Sequence, residues 1–553
     1  KKCCSWIPGA TIPTEQVHNL AAQSLCGLPV LGSAAQGHFS TLLASPTLLA
    51  TFDSPAVKPC KTRHDSALEL AFSLQAMMNL LLPNRSRHPA WLILVKVLAV
   101  KLDYDCRISF PALISPLVQS YDSVLRATAS SILGFASMPD RIATQVFLPG
   151  SLAGLGVRLC ADTLLAAPIA STAQCLVHIV NWAVQQTKFS PQQVVDAFDS
   201  SAASETLAKL ANFEIFVSAT GIISHTLPSL SLSFSHPPLS SLQYLQGRII
   251  KELQNSRFHD LYKTARSDRE KTRLLSASGT GNGACFSDAP ADPNFWLLDF
   301  DFKFSTMYRL GVSIPSRSGK CQHYSAAARL HPTSSPICGA CLLSNPDHFL
   351  ICKKGGCINR IHKAIAQLLA CFCREAGFEA RLEVLIPEFA RNKKTPRTEG
   401  VCSLEQAQLE QGILDVVASH PVDSTEFLLD ATIRHPMSVR YKLAPSVPGL
   451  AAISGENDKH LRYPASKGRS VTPCSLETWG RLGPSLTRFL DSLSATAQRR
   501  DVAHSLPRGL YLQRWLTMLS CTLNKCVSRA IFDSLHCSTP PPFNSVDPTS
   551  FLS

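Results

Sequence analysis

Three cysteines and one histidine lie close together in the stretch CGACLLSNPDHFLICKKGG, residues 338 to 356. Cys338 and Cys341 have the spacing of a tight turn that presents two thiolates to one metal. His348 and Cys352 are four residues apart and would share one face of a helical turn. This set favours a closed, structural Zn²⁺ site, with Cys357 as a substitute ligand. The alternative is a group of reduced thiols in a chain with 20 cysteines.

Acidic residues downstream form a second group that could do chemistry. Asp415 and Asp430 each interrupt an apolar segment dense enough for a buried strand, in GILDVVASH and TEFLLDATIRHP. A charge there is costly unless it is paired or holds a metal. With Glu383 from the strand ARLEVLIPEF, the two aspartates would suit Mg²⁺ and phosphodiester hydrolysis. The alternative places both aspartates at exposed or edge positions.

The elements that carry these residues follow from composition and apolar periodicity. The chain has 553 residues, 45% of them hydrophobic, which is enough for several domains. We expect a mostly α-helical N-terminal half, then a small zinc motif and an α/β domain. The expected regions are 1–60, a helical region 61–188, a Ser/Pro-rich linker 189–240, a basic helix and flexible break 241–293, a helix with the cysteine motif 294–357, the α/β domain 358–510, and a C-terminal helix and tail 511–553.

The charge balance favours a polyanionic partner. The net charge of +13 and the pI near 9.0 point to nucleic acid first, and the helical stretch 242–275 is rich in Lys and Arg. The alternatives are an ordinary basic protein and a solvated helix face. Scattered cysteines and the lack of an apolar signal core predict an intracellular protein, and no apolar run predicts a membrane partner.

The order of these motifs resembles the C-terminal region of non-LTR retrotransposon polyproteins of the restriction-like endonuclease class. Spliced-leader-inserting elements of trypanosomatids belong to that class. The resemblance rests on the C-x2-C…D-H-x3-C cluster, the KKGG turn, a helix with Arg360 and His362, a Glu strand and two Asp strands. In that family, a zinc-knuckle-like motif precedes a nuclease of the PD-(D/E)-x-K superfamily. The specific motifs lie in 338–495, within a weaker resemblance over 27–495.

The resemblance implies roles for individual residues of this chain. Lys459, in GENDKHLRYP, takes the place of the catalytic lysine, because Thr432 stands where the superfamily strand usually has Lys. The implied zinc ligands are Cys338, Cys341, His348 and Cys352. The implied catalytic residues are Asp415, Asp430, Glu383, Lys459 and Tyr463, with Asp415 and Asp430 holding magnesium. The implied nucleic-acid contacts are His362, Arg360, Lys353, Lys354, Lys393 and Lys394.

Some positions depart from the family pattern. Leu414 replaces the Pro before Asp415, and the third carboxylate is open among Glu379, Glu383 and Glu388. Residues 1–60 resemble a remnant that follows a reverse transcriptase palm, and 61–188 resemble its thumb. No adjacent Asp-Asp pair occurs, so the palm's catalytic motif is absent. We therefore expect a fragment or decayed copy whose parent is an RNA-directed DNA polymerase.

Three functions follow from the sequence. The first is a Mg²⁺-dependent endonuclease that nicks target DNA, is attached to a reverse transcriptase thumb, and works with element RNA in the nucleus. The second is a catalytically inactive nucleic-acid-binding remnant of such a polyprotein. The third is a scaffold protein with incidental basic charge.

Overall fold

The structure is a computed structural model, and it divides the chain into two compact units. It describes residues 62–66, 69–71, 73–74, 86–108, 111–167, 170, 244–314, 319–324, 337–392, 409–422, 425–466, 468–500 and 507–535. One unit comprises Lys1–Asn79, Ile93–Ser131 and Arg158–His259, and the other comprises Leu80–Leu92, Ile132–Val157 and Asp260–Ser553. The expected regions 1–60 and 189–240, and the basic loop with Lys393 and Lys394, lie outside the described residues.

The described residues combine many helices with a small sheet. The α-helices are α1 (Arg87–Ile93), α2 (Asp103–Ile108), α3 (Pro111–Leu133), α4 (Asp140–Val146), α5 (Leu245–Lys263), α6 (Asp268–Ser276), α7 (Ala284–Ser287), α8 (Asp299–Leu310), α9 (His348–Ile351), α10 (Cys357–Glu375), α11 (Leu450–Arg462), α12 (Pro484–Arg500) and α13 (Arg508–Leu535). The strands are β1 (Glu379–Leu385), β2 (Arg391–Asn392), β3 (Leu409–Glu410), β4 (Ile413–Ser419), β5 (Glu426–Arg434) and β6 (Val471–Glu477). A π-helical turn spans Leu94–Leu98, and 3-10 turns span Pro293–Phe295 and Pro387–Phe389. Among the described residues, no helix is both long and apolar enough to cross a membrane.

The first unit is helical where it is described. The expected helical region 61–188 includes the long helix α3, whose apolar residues at spacings of three and four, such as Ile114, Leu117 and Tyr121, are buried. Arg257 of α5 turns toward the buried Asp162 and donates a hydrogen bond to it at 2.7 Å. This basic side chain therefore neutralises an internal carboxylate, in addition to any role at the surface.

The second unit orders the segment 276–293, for which the sequence predicted a flexible break. Cys285 and Phe286 are fully buried, and Gly281 and Gly283 adopt left-handed turns with φ of 73° and 71°. Arg309 of α8 donates a hydrogen bond at 2.7 Å to the Asn282 side chain and thereby fixes the loop. The prediction of a flexible break was wrong because glycines in this loop make tight turns inside a packed core.

A four-stranded sheet forms the centre of the second unit. Its order is β1-β4-β5-β6, with β4 antiparallel to β1 and β5, and β5 parallel to β6. Both faces of the two central strands are largely buried, as their dense apolar sequences predict. The predicted strand pair is thus confirmed. The parallel pair requires a crossover connection, and this connection contains α11.

Helices pack on this sheet and bring their polar residues to it. α10 packs against β1, β4 and β5 through an apolar face that includes the fully buried Ile361 and Ile365. α11 packs against β5 and β6, where Gly455 permits a close approach. α13 packs on α10, with the rings of Phe372 and Trp515 stacked at a centroid distance of 5.3 Å. The sequence-based boundaries after residues 357 and 510 therefore fall inside one unit.

The entry into β4 depends on a glycine. A Cβ atom at Gly412 would lie 2.6 Å from the backbone oxygen of Ile386 and 2.6 Å from the backbone carbon of Phe389. Because backbone atoms cannot rotate away, we expect Gly412→Ala to shift the start of β4. The free energy of unfolding should fall by about 1–3 kcal/mol, measured by chemical denaturation with circular dichroism.

Gly509 provides the matched control. It lies in the exposed first turn of α13, and a Cβ atom there would meet nothing within 4 Å. Gly509→Ala should leave the stability unchanged or raise it by up to about 1 kcal/mol, because alanine has the higher helix propensity. Equal stabilities of the two variants would show that Gly412 is not required for packing.

Candidate metal centres

Four N/S donors converge near the start of α10. One donor atom each from Cys321, Cys338, His348 and Cys352 lies within 4.8 Å of every other. The Sγ atoms of Cys321 and Cys352 are 3.9 Å apart, and Cys338 Sγ lies 3.1 Å from His348 Nε2. Tetrahedral coordination with Zn–S bonds of about 2.3 Å places two sulfurs about 3.8 Å apart. A Cys3His group of this geometry could hold a zinc ion.

The fourth donor of this group is Cys321, whereas the sequence predicted Cys341. Segments 319–324 and 337–342 pair in antiparallel fashion, with Cys321 N–H donating to Ala340 O at 2.8 Å and Gly339 N–H donating to Cys321 O at 2.9 Å. This pairing brings a fully buried thiol beside Cys338. Cys341, by contrast, is exposed and lies opposite Lys320 in an isolated bridge.

The thiols of this group are chemically suited to a cation. Burial and neighbouring thiols raise the pKa of Cys321 to about 12, and burial with the adjacent Cys338 also raises the pKa of Cys352. Neutral thiols in a cluster gain little from their proximity, whereas a bound cation stabilises the thiolate forms. Cys357, the alternative ligand, is buried in α10 and is not part of the group.

Asp347 connects this group to the rest of the second unit. It immediately precedes His348, is buried, and accepts two hydrogen bonds of 2.7 Å each from Arg269 of α6. His435 Nε2, just after β5, lies 4.0 Å from the same carboxylate. The backbone that presents His348 is therefore attached by an ion pair to α6, and it lies close to the end of a sheet strand.

The basic residues predicted to contact nucleic acid differ in their surroundings. Lys353 is exposed. Lys354 donates to the backbone oxygen of Ile337 at 3.1 Å, and Arg360 donates to Asp533 of α13 at 2.9 Å. Arg360 thus has a structural contact within the unit.

The two aspartates face each other across neighbouring strands. The β4–β5 register pairs Val416 with Leu429, so Asp415 and Asp430 occupy the next opposing positions, just beyond the last ladder pair. Opposing residues project from the same face of a sheet. Asp415 Oδ2 accepts from the Ala431 N–H at 2.6 Å, which closes the two strands around the acidic pair.

Two helices complete the acidic site. From α10, His362 places Nε2 3.1 Å from Asp415 Oδ2. From α11, Lys459 donates to both oxygens of Asp430, at 2.9 and 3.0 Å. The donor atoms of His362, Asp415 and Asp430 lie within 4.8 Å of one another, which makes them the second potential metal-binding group.

Tyr463 supports this arrangement from the end of α11. Its hydroxyl donates to the backbone oxygen of Ile413 at 3.1 Å, two residues before Asp415. Its ring centroid lies 6.0 Å from the Lys459 ammonium and 4.7 Å from the Arg462 guanidinium. Tyr463 therefore links the lysine helix to the strand that carries Asp415, which is a positioning contact.

Burial, the mutual contact of the carboxylates and their basic neighbours shift the pKa values of the two aspartates in opposite directions. Burial and the neighbouring Asp415 carboxylate raise the pKa of Asp430 to about 7, despite Lys459. Burial acts to raise the pKa of Asp415 too, but hydrogen bonds with His362 and Asp430 outweigh it and lower that pKa. The Lys459 ammonium and the His362 imidazole, whose pKa is raised by its hydrogen bond with Asp415, both face the pair. The carboxylate oxygens are also donors that fit a divalent metal.

Glu383 is not brought into the acidic group. It lies in β1, opposite Asp415, at a gap in the β1–β4 register between Leu382 and Val384. It is exposed and has a left-handed φ of 51°, which is strained for a residue with a side chain. Of the other candidates, Glu388 pairs with Arg469 at 3.3 Å and Glu379 begins β1 opposite Ser419.

The sequence did not predict Cys321 as a donor or the contact of His362 with Asp415. Cys321 lies 17 positions before Cys338, in the sequence KCQH, and nothing in the spacing distinguishes it from the other cysteines. The signal that the sequence does offer is weak: in KCQH, a Cys and a His lie two residues apart. His362 was identified as part of the motif, but its partner became visible only in the structure.

Comparison of the sequence with models of known protein families finds no match. Comparison with curated proteins finds no match either. The chemistry of the two centres is therefore inferred from their geometry.

The identity of the fourth zinc donor can be tested by cobalt substitution. Co²⁺ absorption reports the number of thiolate ligands, so the wild-type protein should show the spectrum of three thiolates and one imidazole. Cys321→Ser should reduce the sulfur-to-metal charge-transfer band by about a third and weaken binding by at least about tenfold. Cys341→Ser, the matched control, should leave the spectrum and the affinity unchanged. The opposite result for the two variants would restore Cys341 as the ligand.

Proposed function

We propose that the chain contains a divalent-cation-dependent DNA endonuclease module of the non-LTR retrotransposon type, which nicks target DNA. The single observation that carries the proposal is the convergence of Asp415, Asp430 and Lys459 from two strands and a helix. Their order along the chain, after a helix and a Glu strand, is one of the features on which the resemblance rests. In that resemblance, Lys459 would take the place of the catalytic lysine that Thr432 does not supply.

Each residue of the site has a task in phosphodiester hydrolysis. Asp415 and Asp430 would hold the cation, for which the resemblance implies Mg²⁺. When bound, such a cation supplies Lewis-acid activation of the scissile phosphate and of the attacking water. The Lys459 ammonium, 2.9 Å from Asp430, is placed to stabilise negative charge that develops on the phosphate.

The surrounding fold buries Asp430 and limits motion at the site. The Asp430 carboxylate is only 4% exposed, in a strand whose neighbours are buried. Low dielectric surroundings strengthen the interaction of Lys459 with an anionic substrate and preserve its orientation. Tyr463 holds the end of the lysine helix against β4, which keeps the three groups together.

The remaining parts of the chain supply binding in this proposal. The Cys3His group and its exposed Lys353 would contact nucleic-acid backbone, and the helical region 61–188 would correspond to a reverse transcriptase thumb. The target DNA and the element RNA are the expected polyanions, and the nucleus is the expected location. The net charge of +13 supports a polyanionic partner in general.

A catalytically inactive nucleic-acid-binding remnant is the second candidate. The observation that favours it is Glu383, which lies outside the acidic group although the resemblance places it in the metal site. Such a remnant would bind DNA with a steep salt dependence but would not cut it.

Plasmid nicking separates the two candidates. With Mg²⁺ or Mn²⁺, the wild-type protein should convert supercoiled plasmid to the nicked form, and Asp430→Asn or Lys459→Met should reduce the rate at least about 100-fold. Asp458→Asn is the matched control. Its carboxylate is on the same helix but faces Arg434 and Arg440, so nicking should persist.

Two results would decide against catalysis. Equal nicking by wild type and Asp430→Asn would remove the assigned site. If the protein binds DNA in a salt-sensitive way, measured by fluorescence anisotropy, but does not nick it, the result would support the inactive nucleic-acid-binding remnant.

A further inference from the structure

His362 was expected to contact nucleic acid, but its surroundings in the structure are different. The sequence assigned it to nucleic acid, on a helix that opens toward a basic turn. The structure instead directs its Nε2 atom to Asp415 Oδ2, 3.1 Å away, beside the buried Asp430. Contact with a nucleic-acid phosphate alone does not require the imidazole to lie beside two carboxylates.

The spacing of these three donors is compatible with ligation of one metal. Octahedral coordination with bonds of about 2.1 Å places adjacent donor atoms about 3.0 Å apart. The observed 3.1 Å between His362 Nε2 and Asp415 Oδ2 agrees with such an edge. All three donors lie within 4.8 Å of one another, so they could share a single ion.

The three donors come from separate, well-packed elements. His362 is on α10, between the fully buried Ile361 and Ile365, whose packing sets the orientation of the helix. Asp415 and Asp430 are fixed by strand pairing and by the Ala431 N–H. The third donor of the group is an imidazole, and Glu383 lies outside the group.

We propose that His362 is the third protein ligand of the centre at Asp415 and Asp430, and that it selects a divalent transition metal such as Mn²⁺ over Mg²⁺. This rests on the proposed function, since it assumes that a metal binds at the two aspartates. Magnesium prefers oxygen donors, whereas an imidazole nitrogen favours the transition metals. Coordination requires the tautomer with the proton on Nδ1, so the hydrogen bond to Asp415 is replaced by a shared metal.

A positioning role is the competing explanation. In that case, His362 would only donate a hydrogen bond that orients Asp415, as outer ligands often do. A glutamine at this position can donate the same hydrogen bond and offers an oxygen, which suits Mg²⁺, but it offers no imidazole nitrogen. His362→Gln therefore separates a nitrogen ligand from a positioning residue.

The experiment uses the full chain with zinc supplied, loaded with Mn²⁺. Pulsed electron paramagnetic resonance detects a directly coordinated imidazole nitrogen, and isothermal titration gives the affinities for Mn²⁺ and Mg²⁺. We expect the nitrogen signal in the wild type and its loss in His362→Gln. The Mn²⁺ affinity of the variant should fall at least about tenfold, with Mg²⁺ affinity changed by less than about threefold.

His460→Gln is the matched control, because it changes an exposed histidine on α11 that lies next to Lys459. It should retain the nitrogen signal. Circular dichroism melting of each variant verifies folding, and His362 is only half-buried, so we expect both variants to fold.

The outcomes distinguish this inference from the proposed function. Mn²⁺ binding that requires Asp430 but shows no imidazole nitrogen, or that is unchanged in His362→Gln, would overturn the role of His362 and leave the metal centre intact. Equal losses of Mn²⁺ and Mg²⁺ affinity in His362→Gln would also overturn it. Mn²⁺ binding that is unaffected by Asp430→Asn would overturn both.

Discussion

The pairing of β4 with β5 places two carboxylates on opposing positions inside a packed sheet, and the rest of the site depends on this constraint. Isolated buried charges are too costly to retain. The two carboxylates are contacted by an ammonium from α11, an imidazole from α10 and a backbone N–H from Ala431. The packing of both helices on the sheet is thus coupled to the charge balance of the aspartates.

The Cys3His group bears on how the segment 337–356 is attached to the second unit. The segment 337–356 is only partly packed in the core: Phe349 and Leu350 are buried, whereas Leu343 and Ile351 are exposed. A metal would join the paired segments 319–324 and 337–342 to α9 and to Cys352, which follows it, while the Arg269–Asp347 pair attaches the same region to α6. The segment is thereby tied to the unit by one cluster of donors and one buried ion pair.

Sequence patterns predicted the local elements well, because periodicity and glycine positions determine them. The helical region that contains α3, the helix α10 and the strands β4 and β5 were expected from these patterns, and the lysine helix α11 was implied by the resemblance. Long-range pairing was not accessible in this way. Cys321 joins the cysteine group because segment 319–324 pairs with segment 337–342. Arg257 and Arg269 turn inward because each forms an ion pair with a buried aspartate. The order of 276–293 likewise depends on Arg309 from a later helix.

The unusual backbone at Glu383 also affects how the sheet ends. Among the described strands, β1 is at one edge of the four-stranded sheet, and its outer side offers N–H and C=O groups together with the partly exposed Leu382 and Leu385. A regular edge of this kind is a template on which a strand of another chain can pair and begin aggregation. The left-handed residue at the middle of β1 interrupts that template. The left-handed residue therefore makes this edge a less regular template for pairing with another chain.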